Sequence, residues 1–210
     1  MDLRQLRLFC RIVDRKSFSL AADEMHITQP AASQQVRSLE RELKTVLLDR
    51  SRRTVDIANT LGTHLIVLWL AREGTYVRES KDAIQAYKHL LAALNNFLEY
   101  DEQIQVAIEP KPNEPMDHAY VPTIGHALAL AERTIDPSRV GGLIETAHAL
   151  LAGLDPSDEM AFALTAGKLW SVHLNDQNGL KFDQDKSFGA ANLRGAYNQV
   201  RVLELAKYYD

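Results

Sequence analysis

The chain has 210 residues, of which 46% are hydrophobic and 25% are charged, so it is long enough for one or two folded domains and is not a disordered or fibrous protein. Residues 1–60 carry 11 Lys and Arg against 8 Asp and Glu, while residues 61–210 carry 13 against 20, so an anionic partner such as DNA would meet the N-terminal part. The single cysteine excludes an internal disulfide. The longest apolar run, 65–71, is too short to span a bilayer, and the N-terminus lacks a signal-peptide core. We therefore expect a cytoplasmic protein without a membrane partner.

The first 60 residues have the spacing of a small helical domain. Apolar residues at helical intervals predict helices over 2–16, 20–25 and 29–43, and residues 45–57 are predicted to form short extended segments around a basic turn. Ser19 is predicted to cap the second helix and Thr28 the third, where Pro30 falls in the first turn. Three helices and a two-stranded wing predict an all-α winged helix-turn-helix domain over residues 1–58.

From residue 63 onward, strands and helices are predicted to alternate. The strands are predicted over 65–69, 105–109, 140–145 and 169–174, and the helices over 80–98, 122–133, 156–166 and 192–206. Alternation of this kind predicts a parallel α/β sheet, and polar residues at the carboxyl ends of the strands are typical of the active face of a (β/α)8 barrel. We predict a partial barrel of about four strand–helix units over residues 63–210, with the domain boundary within 59–63.

The segment SFSLAADEMHITQPAASQQVRSLERELKTVLLDRSRRTV resembles the DNA-binding head of LysR-type transcription regulators. In that arrangement the third helix would enter the major groove of DNA. Polar side chains on its exposed face would read base edges, namely Gln29, Ser33 and Gln34. Basic side chains would contact phosphates, namely Arg37, Arg50, Arg52 and Arg53. The alternative is a three-helix domain with solvated arginines.

Carboxylates and imidazoles recur at the predicted strand ends of the later part. Glu109, Glu145 and His173 lie at or near the ends of three strands, so they are expected to converge. His148 lies three residues after Glu145, and the remaining candidates are the carboxylates of Asp183 and Asp185. Such ligands suit Mn²⁺, Mg²⁺ or Co²⁺. Each residue singly also fits an ordinary solvated loop or turn.

The motifs LWLAREG, IEPKPNEP, IETAHALLAG and SVHLNDQNGLKFDQDKSFG resemble the xylose isomerase-like barrel enzymes, and the histidine in SVHLND is closest to the branch related to L-rhamnose isomerase. The resemblance implies aldose–ketose isomerisation assisted by two divalent ions. It implies a first ion held by Glu109, Glu145 and His173, and a second held by Glu145, His148, Asp183 and Asp185. It further implies that Lys111 and His148 are catalytic residues, that Lys111 binds a sugar oxygen near carbon 1, and that Trp69 forms an apolar wall of the sugar pocket.

Three hypotheses follow from these two resemblances. The first is a DNA-binding regulator-like head joined to a passenger or dimerising body. The second is a sugar isomerase, or a metal-binding remnant of one. The third is a fusion product in which neither part is active. Because only about four of the eight barrel strands are recognisable, we expect the enzyme to be inactive alone, and its open strand edges are expected to favour association between copies.

Overall fold

The computed structural model describes residues 3–15, 17–43, 50–70, 82–114 and 118–208. The chain divides into two compact units, Met1–Arg50 and Ser51–Asp210, which are called the first and second units below. The first unit is helical and the second is α/β. The two predicted fold classes are therefore confirmed, although one segment near the junction differs from its prediction.

The first unit contains three helices with one shared core. They are α1 (Leu3–Arg15), α2 (Phe18–Glu24) and α3 (Gln29–Leu43). Their buried side chains recur at helical spacing and form one cluster, made of Leu8, Ile12, Ala21, Ala22, Ala32 and Val36. Small alanines on α2 allow the helices to pack closely, as the helix-turn-helix prediction required. The prediction of a three-helix head is confirmed.

The N-terminal caps of α2 and α3 show one prediction that is wrong and one that is confirmed. Ser17, not Ser19, precedes α2 with an extended backbone, and the backbone N–H of Leu20 donates to its hydroxyl at 3.3 Å. Ser19 therefore lies inside the first turn, where its hydroxyl cannot cap the helix start. Thr28 caps α3 as predicted, since Ala31 N–H donates to its hydroxyl at 3.3 Å.

The predicted wing is wrong where the structure describes it. Residues 50–60 form a helix, α4 (Arg50–Thr60), whereas the prediction for 45–49 lies outside the described residues. Val55 and Ala58 lie one helical turn apart and are buried in the core of the second unit. The helix ends at Thr60, and Gly62, whose φ of 72° suits glycine, turns the chain before the first strand. The run of arginines at 50–53 resembles a turn in sequence, but burial of this apolar pair favours the helix.

The described part of the second unit contains a four-stranded parallel sheet. The strands are β1 (Leu65–Trp69), β2 (Gln105–Glu109), β3 (Val140–Glu145) and β4 (Leu169–His173), in the spatial order of the chain. Three strands have their predicted bounds, the fourth ends one residue earlier than predicted, and the prediction of a parallel sheet is confirmed. Consecutive parallel strands place all their carboxyl ends at one edge of the sheet, so the residues that end these strands lie side by side.

The helices of the second unit alternate with its strands. After α4 they are α5 (Ala83–Tyr100), α6 (Ile124–Ala131), α7 (Thr146–Leu151), α8 (Pro156–Thr165) and α9 (Leu193–Leu205), and a 3₁₀ turn lies at Pro137–Arg139. The helix α7 and the 3₁₀ turn were not predicted, because each is shorter than the window in which helical periodicity is visible. No described helix combines the length and apolar character needed to cross a membrane.

Two adjacent glycines let the sheet be covered closely on both faces. A Cβ atom at Gly141 would lie 2.4 Å from the ring of Trp170, and one at Gly142 would lie 2.3 Å from the side chain of Ile124 on α6. Any larger residue would therefore force the indole or the helix away from β3. The close packing keeps β3 fixed at the centre of the sheet, and Glu145 is the last residue of that strand.

Candidate metal centre and nucleic-acid interface

The strand register brings the candidate residues together in pairs. Trp69 at the end of β1 pairs with Glu109 at the end of β2. Glu145 at the end of β3 pairs with His173 at the end of β4. The chain then enters α7 directly after Glu145, which places His148 over the same edge of the sheet. Convergence of these residues thus follows from parallel strands that end on polar side chains.

Two groups of metal-ligating side chains form at this edge. Glu109, Glu145 and His173 each offer one ligand atom within 4.8 Å of the others, and Glu145, His148 and Asp183 do the same. The groups share Glu145 and correspond to the two ligand sets that the family resemblance implied. The structure therefore brings together five of the six predicted metal ligands. Their role as ligands remains a prediction.

His148 lies at the centre of the cluster. Its Nε2 atom is 3.2 Å from Glu145 Oε1 and 3.2 Å from Asp183 Oδ2, and its Nδ1 atom is 3.4 Å from Glu109 Oε1. The side chain is only 4% exposed. Within the described residues, Nδ1 of His148 and Oδ1 of Asp183 are buried without a hydrogen-bond partner. Buried polar atoms are rarely left unpaired, so these two atoms suit a ligand held by the cluster.

Lys111 and Trp69 lie beside the cluster. The ammonium group of Lys111, which is 5% exposed, forms a hydrogen-bonded ion pair with Asp183. The same ammonium group lies 5.3 Å from the centre of the Trp69 ring, within the range of a cation–π contact. Trp69 is 49% exposed, so one part of its indole remains accessible to a bound molecule. The structure thus brings both predicted substrate-binding residues to the metal-ligating group.

The local environment changes the protonation of three members of the cluster. Burial, together with the neighbouring carboxylate of Glu145, raises the pKa of Glu109 to about 7. Burial lowers the pKa of His148, although the carboxylates of Glu145 and Asp183 oppose that effect. Burial alone would raise the pKa of Asp183, but the hydrogen bond and charge of Lys111 outweigh it and lower that pKa. A neutral imidazole among crowded carboxylates is the state in which histidine binds a cation.

Asp185 is the predicted ligand that joins neither group among the described residues. It is exposed, and its Oδ1 atom accepts a hydrogen bond of 3.1 Å from Asn175. Its backbone has a φ of 44°, a conformation that aspartate tolerates better than most residues. Asn175 also donates to Glu145 at 2.8 Å, so it joins the Asp185 carboxylate to the cluster. The role of Asp185 as a metal ligand remains a prediction.

Two positioning residues were not predicted from the sequence. Asn175 donates to Glu145 Oε1 at 2.8 Å as well as to Asp185, and its side-chain oxygen accepts from the Ala147 N–H at 2.7 Å. Glu114 accepts the backbone N–H of Asp183 at 2.8 Å. The only sequence signal for Asn175 is its position two residues after His173. For Glu114, 69 residues from its partner, no local pattern could indicate the contact.

In the first unit, the predicted base-reading residues share one face of α3. Gln29, Gln34 and Arg37 are exposed and Ser33 is half-buried. The side-chain amide of Gln29 donates to the Ser33 hydroxyl at 3.2 Å, an arrangement that holds both polar groups at the start of the helix. These are the positions at which a recognition helix presents side chains to base edges.

The predicted phosphate-binding arginines of the wing lie elsewhere. Arg52 and Arg53 are exposed on α4, which groups with the second unit, and the side chain of Arg50 lies outside the described residues. The guanidinium carbon of Arg52 is 5.2 Å from the centre of the Tyr100 ring. Their predicted placement in a wing is wrong because α4 is helical. Their contact with phosphate remains a prediction.

A comparison with protein families finds a match for the first part of the chain. Residues 3–60 match the family described as bacterial regulatory helix-turn-helix protein, lysR family. The match covers the first unit together with α4, which is less than a third of the chain. The predicted resemblance of the head is therefore confirmed. The matched segment extends to residue 60 and so includes α4, whose Val55 and Ala58 are buried in the core of the second unit.

Solved structures that are similar to this chain cover between about three quarters of it and nearly all of it. A D-tagatose 3-epimerase-like protein is similar with a TM-score of 0.61 and 17% identity over 74% of this chain and 57% of that chain. A protein of Sinorhizobium meliloti 1021 has a TM-score of 0.54 and 23% identity over 98% of this chain and 84% of that chain. A xylose isomerase domain protein from Alicyclobacillus acidocaldarius subsp. acidocaldarius has a TM-score of 0.48 and 16% identity over 75% of this chain and 67% of that chain.

These similarities establish the fold alone. The second unit is a parallel α/β sheet with helices, and the likeness to the D-tagatose 3-epimerase-like protein shows a fold shared with part of that protein, which confirms the predicted α/β fold class. The chain spans 57% of the length of the epimerase-like protein that it matches.

Proposed function

We propose that the second unit binds a divalent cation of the Mn²⁺, Mg²⁺ or Co²⁺ class at the cluster of Glu109, Glu145, His148, His173 and Asp183. The observation that carries this proposal is the convergence of two three-residue groups that share Glu145. All the ligand atoms are carboxylate oxygens or imidazole nitrogens, which are the donors these cations prefer.

The charge of the cluster supports the same proposal. Three carboxylates surround His148, and Lys111 is the cation that pairs with one of them. Carboxylates held this close raise one another's pKa, as Glu109 shows. A divalent cation would remove that repulsion and would give the unpaired Oδ1 of Asp183 a partner.

We further propose that the substrate is an open-chain aldose and that the reaction is its interconversion with a ketose. When bound, the cation polarises the oxygen atoms of the sugar. Lys111 would hold a sugar oxygen near carbon 1 through its ammonium group, and the exposed part of Trp69 would pack against the carbon chain. His148 would stay neutral between the carboxylates. One structure of similar fold is called a D-tagatose 3-epimerase-like protein, and tagatose is a ketose.

An activity assay on the full chain tests the proposal. L-rhamnose and a panel of other aldoses would be incubated with the protein and Mn²⁺, and ketose formation followed by NMR. The incomplete barrel predicts an inactive enzyme, whereas the convergence of the ligand groups predicts slow, Mn²⁺-dependent conversion that is lost in Glu145→Gln. The matched control is Glu99→Gln, because Glu99 is an exposed glutamate on α5, away from the strand ends. Binding of Mn²⁺ without any conversion would reduce the proposal to a metal-binding remnant, and the absence of both would refute it.

A second function, DNA binding by the first unit, is favoured by the polar exposed face of α3 and by the family match. Gln29, Ser33 and Gln34 would contact base edges, and Arg37 would contact phosphate. Duplex DNA binding would be measured by fluorescence anisotropy over a range of salt concentrations. We expect Arg37→Ala to weaken binding to all sequences and to reduce the salt slope by about 1.

Its matched control is Arg133→Ala, since Arg133 is an exposed arginine of the second unit. A failure of the full chain to bind any duplex at low salt would contradict the DNA-binding proposal. If the protein folded but bound neither DNA nor Mn²⁺, the third hypothesis, a fusion product without activity, would be the one supported.

A further inference from the structure

Asp183 is the member of the candidate metal cluster that lies on a loop, whereas the other members end strands or begin α7. Its carboxylate forms an ion pair with Lys111, and its Oδ2 atom lies 3.2 Å from Nε2 of His148. A side chain on a loop has no regular secondary structure to fix its direction. The direction of the Asp183 carboxylate therefore depends on the contacts that hold this loop.

The side chain of Gln177 binds the backbone on both sides of Asp183. Its Nε2 atom donates to the carbonyl oxygen of Phe182 at 3.0 Å, and its Oε1 atom accepts the N–H of Gln184 at 2.9 Å. These groups belong to the two peptide bonds that Asp183 forms with its neighbours. A third hydrogen bond, from Nε2 to the carbonyl oxygen of Gly179 at 2.9 Å, joins the start of the same loop. One side chain thus fixes both peptide planes next to Asp183.

Gln177 is itself held in place. It is only 4% exposed, and its N–H donates to Oδ1 of Asp176 at 2.8 Å. The other carboxylate oxygen of Asp176 accepts the N–H groups of Ala191 and Asn192, just before α9, at 2.7 and 3.0 Å. Asp176 also exchanges two backbone hydrogen bonds with Lys186. The amide of Gln177 therefore acts from a fixed point of the second unit.

The backbone conformation of Phe182 supports this control by Gln177. Its φ of 60° is left-handed, a conformation that bulky residues rarely adopt and that persists only where surrounding contacts impose it. Phe182 is 71% exposed, so burial of its ring does not impose the conformation. The hydrogen bond from Gln177 to the Phe182 carbonyl is a contact that can.

The chemistry of the side-chain amide suits this position. One group must donate to backbone carbonyls and also accept from a backbone N–H, and a neutral amide does both. A carboxylate of the same size would lack the donor, and an apolar side chain would lack donor and acceptor. Loss of the amide should therefore release the loop that carries Asp183.

We propose that Gln177 is a positioning residue of the metal centre, which holds the Asp183 carboxylate toward His148 and Lys111. This role rests on the proposed function, because it concerns binding of the cation. Asp183 belongs to one of the two ligand groups, so loss of the Gln177 amide should weaken cation binding without abolishing it. Residues that orient metal ligands typically change the metal affinity by about 10–100-fold.

Titration of the full chain with Mn²⁺, with the free ion measured by electron paramagnetic resonance, tests this role. Gln177→Met keeps the length of the side chain and removes both hydrogen-bonding groups, so it is expected to raise the Kd at least about tenfold. The matched control is Gln103→Met, since Gln103 is an exposed glutamine before β2, at the amino ends of the strands. Its Kd should equal that of the natural sequence.

A double-mutant cycle separates positioning of Asp183 from a general loss of stability. In Asp183→Asn the carboxylate that Gln177 orients is absent, so adding Gln177→Met should change the Kd no further. An equal increase of the Kd with and without Asp183, or an unchanged Kd in Gln177→Met alone, would overturn the role of Gln177 and leave the metal centre standing. Absence of Mn²⁺ binding in the natural sequence would refute the metal centre itself, and the role of Gln177 with it.

Amide hydrogen exchange of the metal-free natural sequence adds a test that does not depend on the folding of a variant. Gln184 is an exposed loop residue, yet its N–H donates to Gln177. We expect this N–H to exchange at least about tenfold more slowly than an unprotected amide. Exchange at the unprotected rate would overturn the role of Gln177.

Discussion

Asn175 connects two carboxylates, and replacing it by aspartate would convert both contacts from attraction to repulsion. Its side-chain nitrogen donates to Glu145 at 2.8 Å and to Asp185 at 3.1 Å. In Asn175→Asp, the new carboxylate would place an oxygen about 3 Å from the carboxylates of Glu145 and Asp185. Repulsion between two unit charges at that distance costs roughly 5 kcal/mol at an effective dielectric constant of about 20. Asn175 is half-buried, so movement, solvent and proton uptake should reduce the net loss to about 3 kcal/mol.

Thermal unfolding followed by circular dichroism measures this loss. A chain of this size changes its Tm by about 2–4 °C per kcal/mol, so we expect Asn175→Asp to lower the Tm by roughly 6–12 °C without metal. Because a bound cation would offset the added charge, Mn²⁺ should restore most of the difference. The matched control is Asn178→Asp in the same loop, where the side chain is exposed, and its Tm should change little. An equal loss with and without Mn²⁺ would refute the reasoning that a cation neutralises this cluster.

Three further predictions concern the two units separately. Val55→Ala should destabilise the second unit by about 1–2 kcal/mol in urea unfolding, because Val55 is fully buried in its core. Ile57→Ala, on the exposed side of α4, should change the free energy of unfolding little. A larger loss in Ile57→Ala than in Val55→Ala would contradict the helix and favour the predicted wing. Ser17→Ala should destabilise the first unit by about 1 kcal/mol through loss of the α2 cap, and an equal effect of Ser19→Ala would contradict this assignment. Burial alone would raise the pKa of Asp176, but the backbone hydrogen bonds to its carboxylate outweigh burial and lower that pKa below 3.8. The ionised carboxylate therefore stabilises the folded state above about pH 3.8, and this stabilisation is lost as the pH falls through the lowered pKa. Asp176→Asn should be less stable than the natural sequence at neutral pH and should lose less further stability in acid.

The sheet could be predicted from the sequence because its strands are short apolar runs that end on polar residues. The ends of β2 and β3 at Glu109 and Glu145 were visible in this way, and parallel pairing then brings the two carboxylates together. Helix α4 could not be predicted as part of the second unit for two reasons. Its arginines belong to a segment that resembles the head. Its buried apolar residues, Val55 and Ala58, are too few to reveal a helical periodicity. Their burial becomes evident only when β1 and its neighbours are in place.

The candidate site was predictable to a similar extent. Residues within recognisable motifs, such as His148 and Asp183, lie where the resemblance implied. Contacts that depend on loop geometry were not predictable, as shown by Glu114, which accepts the backbone N–H of Asp183. Asp185, which was predicted to share a centre with Asp183, joins neither ligand group among the described residues and accepts a hydrogen bond from Asn175.

The most direct test of the metal centre is urea unfolding of the full chain with and without excess Mn²⁺, compared between the natural sequence and Glu145→Gln. A ligand that binds only the folded state stabilises it by about 2.7 kcal/mol at one hundred times its Kd. Glu145 belongs to both ligand groups, so its replacement by glutamine should abolish most of that increase in stability. We predict an upward shift of the second unit's transition with Mn²⁺ that Glu145→Gln largely removes. A transition that Mn²⁺ does not move, or that moves equally in both proteins, would contradict the proposal.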